Sequence, residues 1–143
     1  MELIEHELTD RLLNAAVSVH RELGPGFLES IYEAALCYEL IKRGHSVERQ
    51  KPVPVVYDQT QIGEHRLDLL VDGRVIIELK ACKAIEEIHL ATARSYLKAT
   101  GCQLALVLNF SDTRLGIRRV VLTSGSLPSD PPLRPSVPPR LTP

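Results

Sequence analysis

The chain has 143 residues, of which 44% are hydrophobic and 24% are charged, and its formal net charge is −1. This length and composition are typical of one globular domain with a hydrophobic core. The sequence has no run of about 18 apolar residues, so we expect no membrane span. A near-neutral charge does not indicate a nucleic-acid partner, but it leaves room for an enzyme with only a local basic rim.

The cysteines and the first residues bear on the cellular compartment. Cys37, Cys82 and Cys102 are odd in number and far apart, which argues against a disulfide framework or a zinc site and suits a reducing cytosol. The N-terminus is acidic and lacks the basic-then-apolar layout of a signal peptide. We therefore expect a cytoplasmic protein with structural thiols.

The first third of the chain predicts two helices. Residues 8–23 place apolar side chains at helical spacing, and Gly24-Pro25-Gly26 must end this helix. A second helix is predicted over 27–43, with Gly44 as its C-cap. Its inner face is predicted to consist of Phe27, Ile31, Ala34, Tyr38 and Ile41.

The chain from residue 46 to residue 122 predicts a sheet interrupted by one helix. Prolines at 52 and 54 divide a valine-rich stretch into two short strands, 46–50 and 53–58. The later elements are a hairpin over 63–71 and 74–81, a helix over 86–100, and strands over 103–110 and 116–122. The inner side of that helix is predicted to consist of Ile88, Ala91, Ser95 and Leu97 to Ala99. Buried strands joined by a helix imply an α/β protein with a mixed central β-sheet flanked by α-helices.

The end of the chain differs in composition. Seven of the ten prolines lie between residues 124 and 143, and such a segment cannot form a packed core. We predict one domain over 1–123, followed by a disordered or extended Pro-rich tail over 124–143.

The apolar hairpin carries the charged residues that suggest a site. Asp68 lies on its first strand, and Glu78 and Lys80 lie on its second. Strands this apolar are normally buried, and buried carboxylates are costly unless a cation or hydrogen-bond donors compensate them. A divalent metal ion is the simplest compensating charge.

The turn of the hairpin decides whether the two carboxylates can meet. A two-residue loop, Asp72-Gly73, would pair Asp68 with Ile77 and would place Asp68 and Glu78 on opposite faces. A three-residue loop over 71–73 would pair Asp68 with Ile76 and would place Asp68 and Glu78 on one face. A shared metal ion requires the second register, or a bulge with the same effect.

These residues resemble a known pattern. Asp68 followed by Glu78-x-Lys80 after a hairpin is similar to the motif of the PD-(D/E)xK nucleases. Gly26-Phe27-Leu28-Glu29-Ser30-Ile31-Tyr32 resembles the name-giving motif of the GxxExxY protein family, a branch of that superfamily, and the match extends over about residues 8–122. The resemblance implies a restriction-endonuclease-like core.

The resemblance also implies roles for individual residues. Asp68 and Glu78 correspond to the metal ligands, the Leu79 carbonyl to a further ligand and Lys80 to the motif lysine. Glu29 corresponds to an acidic residue on the helix before the sheet, and the implied ion is Mg²⁺ or Mn²⁺. Tyr96 occupies the tyrosine of a Gln-x-x-x-Tyr element, in which Thr92 replaces the glutamine.

Several of these residues have simpler explanations. Lys80 could instead form a salt bridge with Glu64 or Glu78. Glu29 lies in the first turn of its helix, where a carboxylate suits the macrodipole. Tyr32 could bind Glu29 or a phosphate, or could be an interior tyrosine with a satisfied hydroxyl. Arg66 is expected to support substrate binding.

The expected function is that of a metal-dependent nuclease that hydrolyses DNA phosphodiesters. One alternative is a non-catalytic subunit on a nuclease fold that binds nucleic acid or protein, and another is a metal-using enzyme acting on a small phosphorylated substrate. A homodimer would suit double-strand cleavage, although no residue in the sequence indicates one.

Overall fold

The computed structural model describes residues 4–122, so the Pro-rich tail predicted over 124–143 lies outside the described residues. The elements, in chain order, are α1 (His6–Leu23), α2 (Glu29–Lys42), β1 (Val47–Tyr57), β2 (Thr60–Val71), β3 (Val75–Lys80), α3 (Glu87–Thr100), β4 (Leu104–Asn109) and β5 (Gly116–Val121). The five strands form one sheet in the order β1-β2-β3-β4-β5. Only β3 and β4 pair in parallel, because α3 connects them, and the predicted mixed sheet is confirmed.

The sheet separates two apolar clusters. On one face, Leu69, Ile77 and Leu106 pack with the buried sides of α1 and α2. On the other face, Ile76 and Val107 pack with Leu90, Ala93 and Leu97 of α3. The central strands β3 and β4 are covered on both faces, which explains their continuous apolar sequence.

One element differs from the prediction in its extent. The two short strands predicted over 46–50 and 53–58 are a single strand, β1. Both prolines lie within it, opposite Arg66 and Glu64 of β2. An edge strand accepts proline because only one of its sides must donate hydrogen bonds to the sheet.

The predicted inner face of α2 is wrong. The helix buries Tyr32, Glu33, Leu36 and Leu40, whereas the residues predicted to be inside, Phe27, Ile31, Ala34, Tyr38 and Ile41, are exposed. The helix is apolar on two sides, so its periodicity alone could not select the buried one. For α3 the predicted inner side is confirmed at Leu97, which is buried together with Leu90 and Ala93, and is wrong at Ile88, which is exposed.

The ribbon of β1 and β2 turns over at Gln50 and Asp68. Leu69 and Val71 of β2 pack toward α1 and α2, yet Leu67 packs toward α3, although side chains two apart normally share a face. In β1, Val47 packs on the first side and Val53 on the second. Gln50 lies between them with a left-handed φ of 54°. Asp68 lies at this reversal, beside Gln50.

No helix within residues 4–122 is long and apolar enough to cross a membrane.

Candidate active site

The candidate site lies where β2 and β3 separate. The ladder between these strands runs from Val71↔Val75 to Leu69↔Ile77 and then ends. At the next position, the Asp68 amide donates to Glu78 Oε2 at 3.1 Å. The Leu79 amide donates to Asp68 Oδ2 at 2.9 Å. Each carboxylate thus replaces a main-chain acceptor of the ladder, which fixes both side chains.

The observed register differs from both predicted alternatives. The loop comprises residues 72–74, one position beyond the predicted three-residue loop, with Asp72 and Gly73 at φ of 55° and 66°. Extending the ladder by one position places Asp68 directly opposite Glu78. The two carboxylates therefore meet, as a shared metal ion requires, but through a register that the sequence did not identify.

The electrostatics of the pair are those of two carboxylates confined together. Glu78 is 7% exposed. Burial and the neighbouring Asp68 carboxylate raise the pKa of Glu78 to about 8. Burial also raises the pKa of Asp68, with smaller contributions from the charges of Glu33 and Glu29. Without a cation, the folded protein consequently holds a proton at this pair near neutral pH.

Lys80 lies beside the pair. Its charge lowers the pKa of both carboxyl groups, against the larger effect of burial. The salt bridge considered for Lys80 is absent from the ion pairs found between residues 4 and 122, and Glu64 is paired with Arg66 instead. The ammonium of Lys80 therefore has no ion-pair partner among residues 4–122.

Glu29 reaches the same end of the sheet from the first turn of α2. Its Oε2 accepts from the amide of Ala81 at 3.3 Å, immediately after β3. Glu29 is exposed, unlike Glu78. Glu29 therefore suits the helix dipole at the N-terminus of α2 and also faces the carboxylate pair, so its position fits both explanations considered for it.

Glu33 and Gln50 were missed by sequence reasoning. Glu33 is buried, accepts from Arg49 Nε at 2.7 Å and accepts from Gln50 Nε2 at 2.9 Å. Gln50 Nε2 also lies 3.5 Å from Asp68 Oδ1. The backbone of Gln50 is left-handed, and its side-chain amide lies between Glu33 and Asp68. A left-handed conformation is uncommon for a glutamine and could not be predicted from a strand sequence.

Asn109 fixes the chain that follows Lys80. Its Oδ1 accepts from the Cys82 amide at 3.2 Å, and its Nδ2 donates to the Cys82 carbonyl at 2.9 Å. Asn109 is buried at the end of β4, directly opposite Lys80 in the parallel ladder. Its signal in the sequence was only a polar residue ending an apolar strand.

Tyr96 of α3 borders the site on its other side. Burial and the charges of Glu78 and Asp68 raise its pKa to about 12, so it remains a neutral donor. The ring of His65 packs edge-on against it at 4.7 Å between centroids. Thr92, one turn earlier in α3, is exposed.

Two predicted supporting residues have structural contacts. Tyr32 is fully buried, donates to the Gly24 carbonyl at 2.6 Å and accepts from the Phe27 amide at 3.1 Å, as expected of an interior tyrosine. Its hydroxyl therefore closes the loop between α1 and α2. Arg66 is exposed and donates to the Gln50 carbonyl at 3.0 Å. It supports the reversal in β1 and remains open to solvent.

The donor set suits a hard divalent cation. A buried carboxylate pair that holds a proton is a site where a cation would relieve repulsion. Within residues 4–122, no three His, Cys, Asp or Glu side chains form a ready-made cluster. Mg²⁺ does not require one, because it commonly binds one or two carboxylates and keeps water or substrate oxygens as its other ligands.

The fold and this site define an α/β protein with a restriction-endonuclease-like core. The family model of the PD-(D/E)XK nuclease superfamily matches residues 6–120. The chain belongs to that superfamily. No curated protein and no solved structure matches the chain.

Proposed function

We propose that this protein is a divalent-metal-dependent nuclease that hydrolyses DNA phosphodiester bonds. The observation that carries the proposal is the exchange of hydrogen bonds between Asp68 and Glu78 where the hairpin opens. Superfamily membership supports a nuclease-type function. The motif at residues 26–32 favours the GxxExxY branch.

Asp68 and Glu78 would hold Mg²⁺ or Mn²⁺, with the Leu79 carbonyl and Glu29 as further ligands. When bound, the ion supplies Lewis-acid polarisation of the phosphodiester and a lower pKa for a coordinated water. Binding requires that the carboxyl pair release its proton. Gln50, which is itself held by Glu33, would help to orient the Asp68 carboxylate beside it.

Lys80 and Tyr96 would act on the substrate. The ammonium of Lys80 provides a positive charge where negative charge develops on the phosphate, and it can orient the attacking water. Tyr96, held neutral, can donate a hydrogen bond to a phosphate oxygen. Because Thr92 replaces the glutamine of the Gln-x-x-x-Tyr element, Tyr96 acts without a neighbouring glutamine amide.

A second candidate is a non-catalytic nucleic-acid-binding subunit. The departure at Thr92 and the local pairing of basic residues favour it, because Arg49, Lys51 and Arg43 are each engaged by a nearby glutamate. Such a subunit would bind DNA in a salt-sensitive manner and would be indifferent to the loss of Lys80.

The test is cleavage of labelled single- and double-stranded DNA in Mg²⁺ or Mn²⁺. We expect Asp68→Asn and Lys80→Ala to lose cleavage by roughly 100-fold or more. Glu64→Gln on β2 and Lys83→Ala after β3 are matched controls, because both residues are exposed and outside the carboxylate pair. Full activity in Asp68→Asn would contradict the proposal. Salt-sensitive binding without cleavage, equal in wild type and Lys80→Ala, would establish the second candidate.

A further inference from the structure

The exposed side of α2 carries an apolar stripe. It consists of Phe27, just before the helix, and Ile31, Ala34, Tyr38 and Ile41 within it. The large members are strongly exposed, at 45% for Phe27, 44% for Ile31, 68% for Tyr38 and 55% for Ile41. Their successive spacings of four, three, four and three residues are those of a seam between two helices.

A groove runs beside the stripe. It has a volume of about 720 Å³ and lies between α1 and α2. Its walls include Leu23 and Glu22 toward the end of α1, and Ala35, Lys42 and Arg43 on the α2 side. A stripe of knobs next to an open groove is the surface that interdigitating helices require.

The stripe is symmetric about its centre. Ala34 is the middle residue of the five, so its small side chain would permit close approach at a crossing point. Phe27 and Ile41 each lie seven residues from Ala34 in the sequence. Ile31 lies three residues before Ala34, and Tyr38 lies four residues after it. A second copy turned end for end would therefore meet each large side chain with another large one.

The charges favour the same arrangement. Glu22 marks the end of the groove near Ile31, and it has no ion-pair partner within the described residues. Lys42 and Arg43 mark the other end, where both pair with Glu39, so that this end carries one net positive charge. In a two-fold pair, the acidic end of each groove faces the basic end of the partner helix.

We propose that this stripe is a homodimer interface, formed by antiparallel packing of α2 against α2 of a second copy of the chain. Tyr32, Glu33, Leu36 and Leu40 on the opposite side of α2 stay packed on the sheet. The carboxylate pair is therefore not part of the interface.

The first test is the oligomeric state of the full chain by analytical ultracentrifugation. Wild type and the control Ile88→Glu, which alters a more exposed isoleucine on α3, should form dimers at micromolar concentrations. Ile31→Glu and Tyr38→Glu should raise the dimer dissociation constant roughly 100-fold, because they place a charge in the seam. The proposal would be overturned if wild type stayed monomeric even at 100 times the micromolar concentrations of the assay. It would also be overturned if both stripe variants associated as wild type does.

The second test is disulfide cross-linking under mild oxidation. Ala34→Cys should cross-link with itself, because it lies at the two-fold axis. Phe27→Cys should cross-link with Ile41→Cys when the two variants are mixed, and not with itself. Self-cross-linking of Phe27→Cys would indicate a parallel pair and would overturn the antiparallel arrangement. Metal binding should be unchanged in Ile31→Glu, so failure of the dimer and failure of the proposed nuclease site are separable.

Discussion

Glu78 is the residue whose protonation controls the site. Its pKa of about 8 lies well above the value of 4.5 for an ordinary glutamate, so the folded state holds this proton more tightly than the unfolded chain does. The stabilisation is complete below about pH 4.5 and is lost as the pH rises toward 8. The metal-free protein therefore loses stability over this range, and a bound cation would offset the loss.

The Glu78→Gln variant tests this directly. Glutamine preserves the shape of the protonated acid and still accepts from the Asp68 amide, but it cannot ionise. In a metal chelator at pH 8.5, we expect Glu78→Gln to be more stable than wild type by several kcal/mol, and at pH 5 the difference should be much smaller. Urea unfolding at both pH values measures this, with Glu64→Gln as control. A variant less stable than wild type at pH 8.5 would contradict the assigned protonation.

The reversal of the β1–β2 ribbon is the feature of element scale that borders the site, because Gln50 at the reversal lies beside Asp68. Asp68 already lies directly opposite Glu78 in the register of β2 and β3, and opposite residues of an antiparallel pair share a face. The reversal next to Asp68 turns Leu67 to the side of the sheet opposite Leu69. Gln50 provides the reversal in β1 by adopting a left-handed backbone, and Arg66 holds the Gln50 carbonyl. Such a conformation costs energy in any residue with a Cβ atom.

A pair of substitutions isolates that cost. Gln50→Ala and Gln50→Gly both remove the amide, but only glycine accepts a φ of 54° without strain. We expect Gln50→Gly to be more stable than Gln50→Ala by about 1 kcal/mol. At Glu48, which has no left-handed φ, glycine should instead be less stable than alanine. Urea unfolding measures the difference in stability between the glycine and alanine variants at each position. If alanine were the more stable variant at both positions, Gln50 would not be strained.

The sequence predicted the elements better than their orientations. The hairpin, the helix between the parallel strands and the last two strands follow from apolar runs and turn residues, and their type is confirmed. The buried side of α2 could not be predicted, because the helix has two apolar sides and only the packed sheet selects one. If the exposed side of α2 packs against a second copy of the chain, the dimer explains why that side is apolar.

The site was predicted in its central residues and missed in its support. Asp68, Glu78 and Lys80 are charged residues within an apolar hairpin, which is a local signal. Glu33 and Gln50 are distant in sequence from Asp68, and their contact depends on a backbone reversal that no residue type announces. Both hairpin registers considered were wrong for a different reason: the loop lies one residue further along the chain, and a one-residue change in loop position alters every pairing.

At the scale of the whole molecule, metal binding and folding should be linked. An ion that binds only the folded chain at 100 times its dissociation constant stabilises the chain by about 2.7 kcal/mol. For a domain of this size we expect the melting temperature to rise by roughly 5–10 °C in saturating Mn²⁺. Asp68→Asn should show no such increase. An equal increase in Asp68→Asn would place the ion elsewhere.

The central claim is that Asp68 and Glu78 together hold a divalent cation, and calorimetric titration with Mn²⁺ at pH 8.5 tests it most directly. We predict that wild type, Lys80→Ala and Glu64→Gln bind one ion per chain at this site. Asp68→Asn and Glu78→Gln should each weaken binding by more than the roughly 10–100-fold typical of changes outside the ligand shell. Undiminished Mn²⁺ binding in both of these variants, or no binding in wild type, would contradict the account.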